Sequence, residues 1–276
     1  MPDDTEVRYH LLRPAEVVAR RKACPAAYIP IGTVEWHGPQ NPLGADTLQA
    51  EGQAAACARL GGGLVLPALY YGENRLQGLM EANAADREDI ARCMELPADN
   101  FVPASFPYGA VEQGAAYQRL LLHVLAEAST LGFAVGVLVA GHYPLIDHAR
   151  AAVLQWNQGE HVRRRGGMLA WAFVDYLLVR DQFDCAGDHA GGWETSRLMA
   201  LCPGRVDLGT LPPEGQKLVG CGGRMPPQKA SAEFGRRTIE AAAEVAVREV
   251  RHRLENRAAY LAHGCSLSEG LWRTGK

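Results

Sequence analysis

The sequence predicts an α/β fold, with a mostly parallel central sheet and helices packed on both of its faces. Three observations carry that prediction. Short, unbroken apolar runs such as "AAYIPIG" and "FAVGVLVAG" end on glycine, as strands buried on both faces do. Longer stretches between them repeat their apolar residues at helical spacing. The two kinds of segment alternate, which is the order a parallel sheet with crossover helices requires.

Taken from the N-terminal end, "AAYIPIG" is the first strand. "ADTLQAEGQAAACARLGGG" follows as a helix, with Asp46 or Thr47 as its N-cap and the three glycines as its stop. "LVLPALYYG" reads as a second strand running into a loop marked by proline and glycine. Residues 73–113 lack a clear period and are expected to make an excursion over the sheet edge or the site mouth, with a short helix near 85–94. "AAYQRLLLHVLAEASTLG" is a helix ending at Gly132, "FAVGVLVAGH" the clearest buried strand, and "PLIDHARAAVLQWNQ" another helix. "GGMLAWAFVDYLL" reads as a further strand. Near the C-terminal end, Ile239, Ala243, Ala246, Val250 and Leu254 recur at helical intervals with charges between them, so this helix lays one face on the sheet. No repeat or low-complexity linker divides the chain, and a single domain over 1–276 is expected.

Composition narrows the function. A chain of 276 residues can bury a substantial core. A formal charge of −3, with the arginines dispersed, gives no footprint for nucleic acid or an anionic membrane. The seven cysteines are odd in number and contain no C-x-x-C pair, which argues against a disulfide framework or a zinc ribbon. The start "MPDDTEVRYHLLRPAEV" is too acidic and polar for a secretory signal. No stretch is apolar for long enough to span a bilayer. The expectation is a cytoplasmic enzyme.

Residues 32–46 read "GTVEWHGPQNPLGAD". At the end of a strand, Glu35 and His37, two residues apart, point to the same side. The Gly- and Pro-marked loop after them can fold Asp46 back beside them. Two carboxylates and an imidazole suit a divalent metal of borderline hardness. Singly, each has a plainer reading: a surface glutamate, a half-buried histidine and a helix cap. His142 follows the strand "FAVGVLVAG" and would stand at the same sheet end, where ligands bind in such folds. A third cluster, "GDHAGGWETSRLMAL", places Asp188 and His189 before two glycines and Glu194 at a helix start. There Glu194 reads equally as a cap, and His189 as a loop histidine.

Together these residues resemble the creatininase family of metal-dependent amidohydrolases. The resemblance rests on Glu35-Trp36-His37-Gly38-Pro39 with Asp46, on Gly141-His142, and on His189-Ala190-Gly191-Gly192-Trp193-Glu194-Thr195-Ser196. Weaker similarity extends to "LPALYYG" and "SAEFGRR". It implies a three-layer α/β/α fold, a homohexamer, and two divalent metals per protomer (Zn, Mn or Fe) bridged by an aspartate and a water. By the same resemblance Glu35 and His142 hold one metal, His37 the other, Asp46 bridges them, and His189, with Asp188 beside it, is catalytic. Creatininase carries a metal-binding glutamate two residues after the histidine of its Gly-His block, where this chain has Pro144. Other members lack that glutamate too, and Glu194 is expected to replace it. Tryptophans that grip the ring in creatininase align with Val174 and Cys185, so creatinine itself is not implied as substrate. Trp36, Trp193 and Tyr143 are candidates for other walls. The expected reaction is hydrolysis of a C–N bond in a small amide, cyclic amide or formamide. The alternative is a creatininase-fold protein with one metal or none that binds a partner without catalysis.

Overall fold

The computed structural model describes residues 6–72, 79–83, 85–102, 104 and 107–261. The sheet has four parallel strands in the order β2-β1-β3-β4: β1 is Ala26–Ile31, β2 Leu64–Val65, β3 Val135–Ala140 and β4 Leu169–Val174. Every residue of these strands is buried. That is why they read as continuous apolar runs instead of alternating ones.

On one face lie α2 (Ala45–Gly61) and α10 (Ala232–Glu255), packed on each other; on the opposite face lie α5 (Ala110–Thr130) and α6 (Leu145–Asn157). The result is the expected α/β/α layering. A helix α1 (Pro14–Ala23) precedes β1. Two short helices, α3 (Met80–Asn83) and α4 (Arg87–Cys93), stand in the excursion, which falls partly outside the described residues. Then come α7 (Glu160–Arg163), α8 (Asp175–Val179) and α9 (Gly192–Leu201). Ile239, Ala243, Ala246 and Val250 are all buried, as the spacing on α10 requires, and Ser231 caps that helix by accepting from Phe234 N.

Three sequence expectations need correction. The second strand stops at Val65 and does not run through "LVLPALYYG". Pro30 accounts for the break: its carbonyl accepts from Leu69 N, so its ring sits where a strand N–H would face this segment, and pairing resumes only as an isolated bridge between Ile31 and Leu69. The strand expected over "GGMLAWAFVDYLL" ends at Val174, and Asp175 to Leu178 turn into α8. The cap of α2 is Gly44, with no side-chain bond, so neither Asp46 nor Thr47 serves as its N-cap.

The strand order reverses between β1 and β3, because the chain leaves β1 outward to β2 and then returns to build β3 and β4 on the other side. The crevice at such a switch point, beyond the C-terminal strand ends, is where open α/β sheets bind ligands. Two glycines let α2 enter that crevice. A Cβ on Gly32 would lie 2.3 Å from Thr47 Oγ1, and one on Gly141 would lie 1.9 Å from the Asp46 carbonyl oxygen. Any side chain at either strand end would push out the first turn of α2, and Asp46 with it.

Candidate metal centre

Each ligand candidate arrives from a different piece of backbone. Glu35 and His37 follow β1, His142 follows β3, and Asp46 sits in the first turn of α2, where the helix dipole favours a carboxylate. The loop between His37 and Asp46 closes because Glu35 N donates to Leu43 O at 3.0 Å. Gln40 and Asn41 tie this loop to α9 through Ala190 O (2.9 Å) and Thr195 Oγ1 (3.0 Å). That brings Glu194 into the same crevice. Glu35, His37, Asp46, His142 and Glu194 are all buried.

Their atoms form two triads that share one residue. Glu35 Oε1 and Asp46 Oδ2 lie 3.1 and 3.2 Å from His142 Nδ1. Asp46 Oδ1 lies 3.0 Å from His37 Nε2, and Glu194 Oε2 lies 3.5 Å from the same nitrogen. In each triad the potential ligand atoms are within 4.8 Å of one another. His189 stands at the rim, with Nδ1 3.5 Å from Glu35 Oε1 and its ring 4.4 Å from that of His37. It makes a third group with Glu35 and His37.

Two successive carbonyls orient the histidines. His37 Nδ1 lies 3.2 Å from Glu35 O, and His189 Nε2 lies 2.8 Å from Trp36 O. A carbonyl only accepts, so each of these nitrogens carries the proton. The lone pairs of His37 Nε2 and His189 Nδ1 are thereby turned into the site, the arrangement that second-shell carbonyls give to metal-binding histidines. The peptide bearing these carbonyls is itself clamped by α3: Trp36 N donates to Glu81 Oε2 at 3.2 Å, and Met80 N donates to Glu35 Oε2 at 2.9 Å.

The donor set demands positive charge. Burial works against protonation of His37, yet Asp46, Glu194 and Glu35 carry it up to about 10. His142 is also raised well above its ordinary value; burial opposes the shift, and Asp46 and Glu35 drive it. Burial likewise opposes the charge on Asp46, but the two histidines hold its carboxyl far below the usual range. Glu194 is pushed up to about 8, chiefly by burial, with Asp46 and Asp188 adding repulsion against the pull of His37. Protons on these groups do what a cation does better, and His142 Nε2 is buried without a hydrogen-bond partner. The residues therefore fit a divalent metal.

Asp188 and Glu194 use part of their capacity on the backbone. Asp188 accepts from Trp193 N (2.7 Å) and Glu194 N (3.2 Å), holding the start of α9. Burial raises its carboxyl to about 6 against the pull of those N–H groups. Glu194 Oε2 accepts from Ala190 N at 2.8 Å, ahead of the helix. The N-cap, Gly191, has no side-chain cap bond, and Asp188 takes the N–H groups of the first turn, so Glu194 stands near the metal donors without capping α9. Ala190 has a φ of +53°, a left-handed conformation that L-residues adopt at a cost and that sites commonly retain. His189 is driven down to about 4, first by burial and then by the charge on His37.

A cavity of about 300 Å³ opens onto the donors. Of the three aromatic residues considered as walls, Tyr143 lines it, 57% exposed. Trp193 lines it too but is buried between Phe183 and Phe234. Trp36 is spent on packing, with its indole donating to Val219 O at 2.8 Å. Sequence reasoning missed Asp175, Tyr176 and Glu81. The first two read as strand residues in "GGMLAWAFVDYLL", and Glu81 lies in a stretch without periodicity. Gln40 and Asn41 were within the quoted loop, and two amides in a Gly- and Pro-rich loop were the available sign.

A parallel α/β sheet with histidines and carboxylates gathered at its switch point is the architecture of a metal-dependent hydrolase. The creatininase profile, described as creatinine amidohydrolase, matches residues 10–250, and this chain belongs to that family of metal-dependent amidohydrolases. Among solved structures, it is similar to a mutant creatininase of the Zn-Zn type (TM-score 0.62, 21% identity, 91% of this chain and 98% of that one). It is also similar to a manganese creatininase (0.60, 21%, 91% and 99%) and to a mutant creatininase complexed with creatine (0.61, 21%, 90% and 99%). No curated protein sequence matches significantly. Among the described residues no helix is long and apolar enough to cross a membrane.

Proposed function

We propose that this protein hydrolyses a C–N bond in a small amide, cyclic amide or formamide, with two divalent cations per protomer. The observation that carries the reading is Asp46, whose two oxygens face different triads at 3.0 and 3.2 Å. Glu35, Asp46 and His142 would hold one cation; His37, Asp46 and Glu194 would hold the other. When bound, such a pair polarises a carbonyl and makes a water acidic enough to supply hydroxide near neutral pH.

The chain's own residues do the rest. His189 keeps its Nε2 proton on Trp36 O, so Nδ1 is the atom that takes a proton from the attacking water and passes it to the leaving nitrogen. Asp188 acts by position: it fixes the first turn of α9 and thereby the places of His189 and Glu194. Glu81 holds the Glu35–Trp36 peptide, whose carbonyl orients His37. Burial keeps bulk water away from the donors. The protein is taken to be cytoplasmic and a homohexamer. Supporting an assembly, Tyr71 (88% exposed), Tyr108 and Val111 leave apolar surface in solvent beside a groove on α5.

Metal content tests the dinuclear reading. Protein purified without chelator should carry two metals per protomer, and Asp46→Ala should lose both, since each triad uses that carboxylate. One tightly held metal that persists in Asp46→Ala would overturn it.

A further inference from the structure

One wall of the cavity, outside the metal triads, is lined by Tyr143, Asp175 and Tyr176. Asp175 is the first residue after β4, so it stands at the same strand ends as the site, yet it belongs to neither triad. Its Oδ2 is buried against the guanidinium of Arg197 at 2.9 Å. Arg197 is fully buried and is gripped in turn by Gln53 Oε1 (2.9 Å) and Thr238 Oγ1 (3.3 Å). The carboxylate is therefore anchored from behind through one oxygen. Oδ2 is buried, the side chain is 13% exposed and Asp175 lines the cavity, so Oδ1 is the oxygen with which it would accept from a guest.

The two tyrosines frame that acceptor. Their ring centroids are 6.0 Å apart with the planes at 40°. Tyr176 is backed by Gly187, where a Cβ would come within 2.7 Å of the ring, so it is fixed in place. Tyr143 stands more than half exposed. Aromatic faces attract cationic N–H groups. Among the described residues no lysine or arginine lines the cavity, whereas Asp175, Asp188 and Glu194 do. Arg197 is sealed behind Asp175, and Arg150, whose charge is felt by Tyr176, does not line the cavity and pairs with Asp147 at 3.9 Å. Two divalent cations would bring four positive charges against three negative ones on Glu35, Asp46 and Glu194, and a hydroxide would supply the fourth, so Asp175 is a further acceptor on the Tyr143–Tyr176 wall.

We propose that this wall of the cavity receives a positively charged, N–H-bearing group of the substrate (an ammonium, amidinium or guanidinium), so that the substrate is a cationic amide whose charge lies apart from the scissile bond. The proposal rests on the C–N hydrolase reading for where the reacting end lies. An anionic group there would meet carboxylates and no lysine or arginine among the described residues that line the cavity.

Three amides of similar length test this on the metal-loaded protein by calorimetric binding: β-alaninamide, succinamate and uncharged butyramide. β-Alaninamide should bind at least about tenfold more tightly than succinamate, the effect of one charge-assisted hydrogen bond. Asp175→Asn keeps an oxygen for Arg197 but loses the charge, so the preference should collapse towards unity with metal content unchanged. Should that variant not fold, Tyr143→Ala at the exposed ring should weaken β-alaninamide about threefold and leave butyramide as it was. The proposal is overturned if succinamate binds as tightly as β-alaninamide, if β-alaninamide does not bind, or if the folded variant keeps the preference. Failure of the hydrolase reading looks different: wrong metal stoichiometry, or no amide turnover while the binding preference stands.

Discussion

Replacing Glu194 with glutamine isolates its charge from its shape. In the native fold Glu194 Oε2 accepts from Ala190 N at 2.8 Å and approaches His37 Nε2 at 3.5 Å. Glutamine offers an oxygen for the first contact but no anion for a metal. Burial raises the Glu194 carboxyl to about 8, so near pH 7 the metal-free protein already carries it mostly neutral. Glu194→Gln should therefore fold as stably as wild type when stripped of metal, and loss of the bond from Ala190 N altogether would cost only about 1 kcal/mol. Metal binding should tell the two proteins apart. Losing an outer-shell partner weakens metal affinity about 10–100-fold, and losing a direct donor should do no less, so about 100-fold is taken here. At a free metal concentration of about 100 times the wild-type Kd, binding stabilises wild type by about 2.7 kcal/mol and the variant by about 0.4 kcal/mol. For a chain of this size that difference is about 5–9 °C in Tm. The assay is calorimetric melting of both proteins, with and without metal, alongside elemental analysis. Equal metal-dependent rises in Tm, with full occupancy in Glu194→Gln, would refute the ligand role and leave Glu194 as a tie to the Ala190 backbone.

His189→Asn makes the opposite pattern: both metals retained and turnover of the best amide lowered about 10²–10⁴-fold, as for loss of an acid–base group. Metal loss in that variant would instead make His189 a ligand, through its grouping with Glu35 and His37. The stability of chelator-stripped protein should also depend on pH. His37 is raised from an ordinary 6.5 to about 10, so its contribution is fully present below about 6.5 and is lost as pH rises through about 10, readable in denaturant melts. Adding metal at pH 7 should release protons from His37, His142 and Glu194, with the release shrinking as pH passes about 8 and then about 10. Calorimetry in buffers of different ionisation enthalpy measures this, and no release at pH 7 would contradict the protonated cradle.

The sequence by itself determined the layers and the first residues of the site. Buried parallel strands must be apolar throughout, and helices must repeat at their own period, so both kinds of element announce themselves locally. Glu35, His37, Asp46 and His142 were legible as candidates because they follow strand-end glycines, while the role of Glu194 came from the resemblance to the creatininase family and the proline at 144. What the sequence could not show is any relation between distant backbone segments. The truncation of β2 follows from which side Pro30 turns its missing N–H, and that depends on its neighbour in the sheet. Asp46 reads as a cap until Gly32 and Gly141 are seen to admit the first turn of α2 between the strand ends. Asp175 reads as part of a strand until β4 stops and Arg197, from α9, takes hold of its carboxylate. Glu81 carries no local sign at all, because its work is to hold a peptide 45 residues away. Periodicity and composition are properties of neighbours along the chain. Ligand sharing, tautomer choice and counter-charge are properties of neighbours in space, and only the tertiary structure decides those.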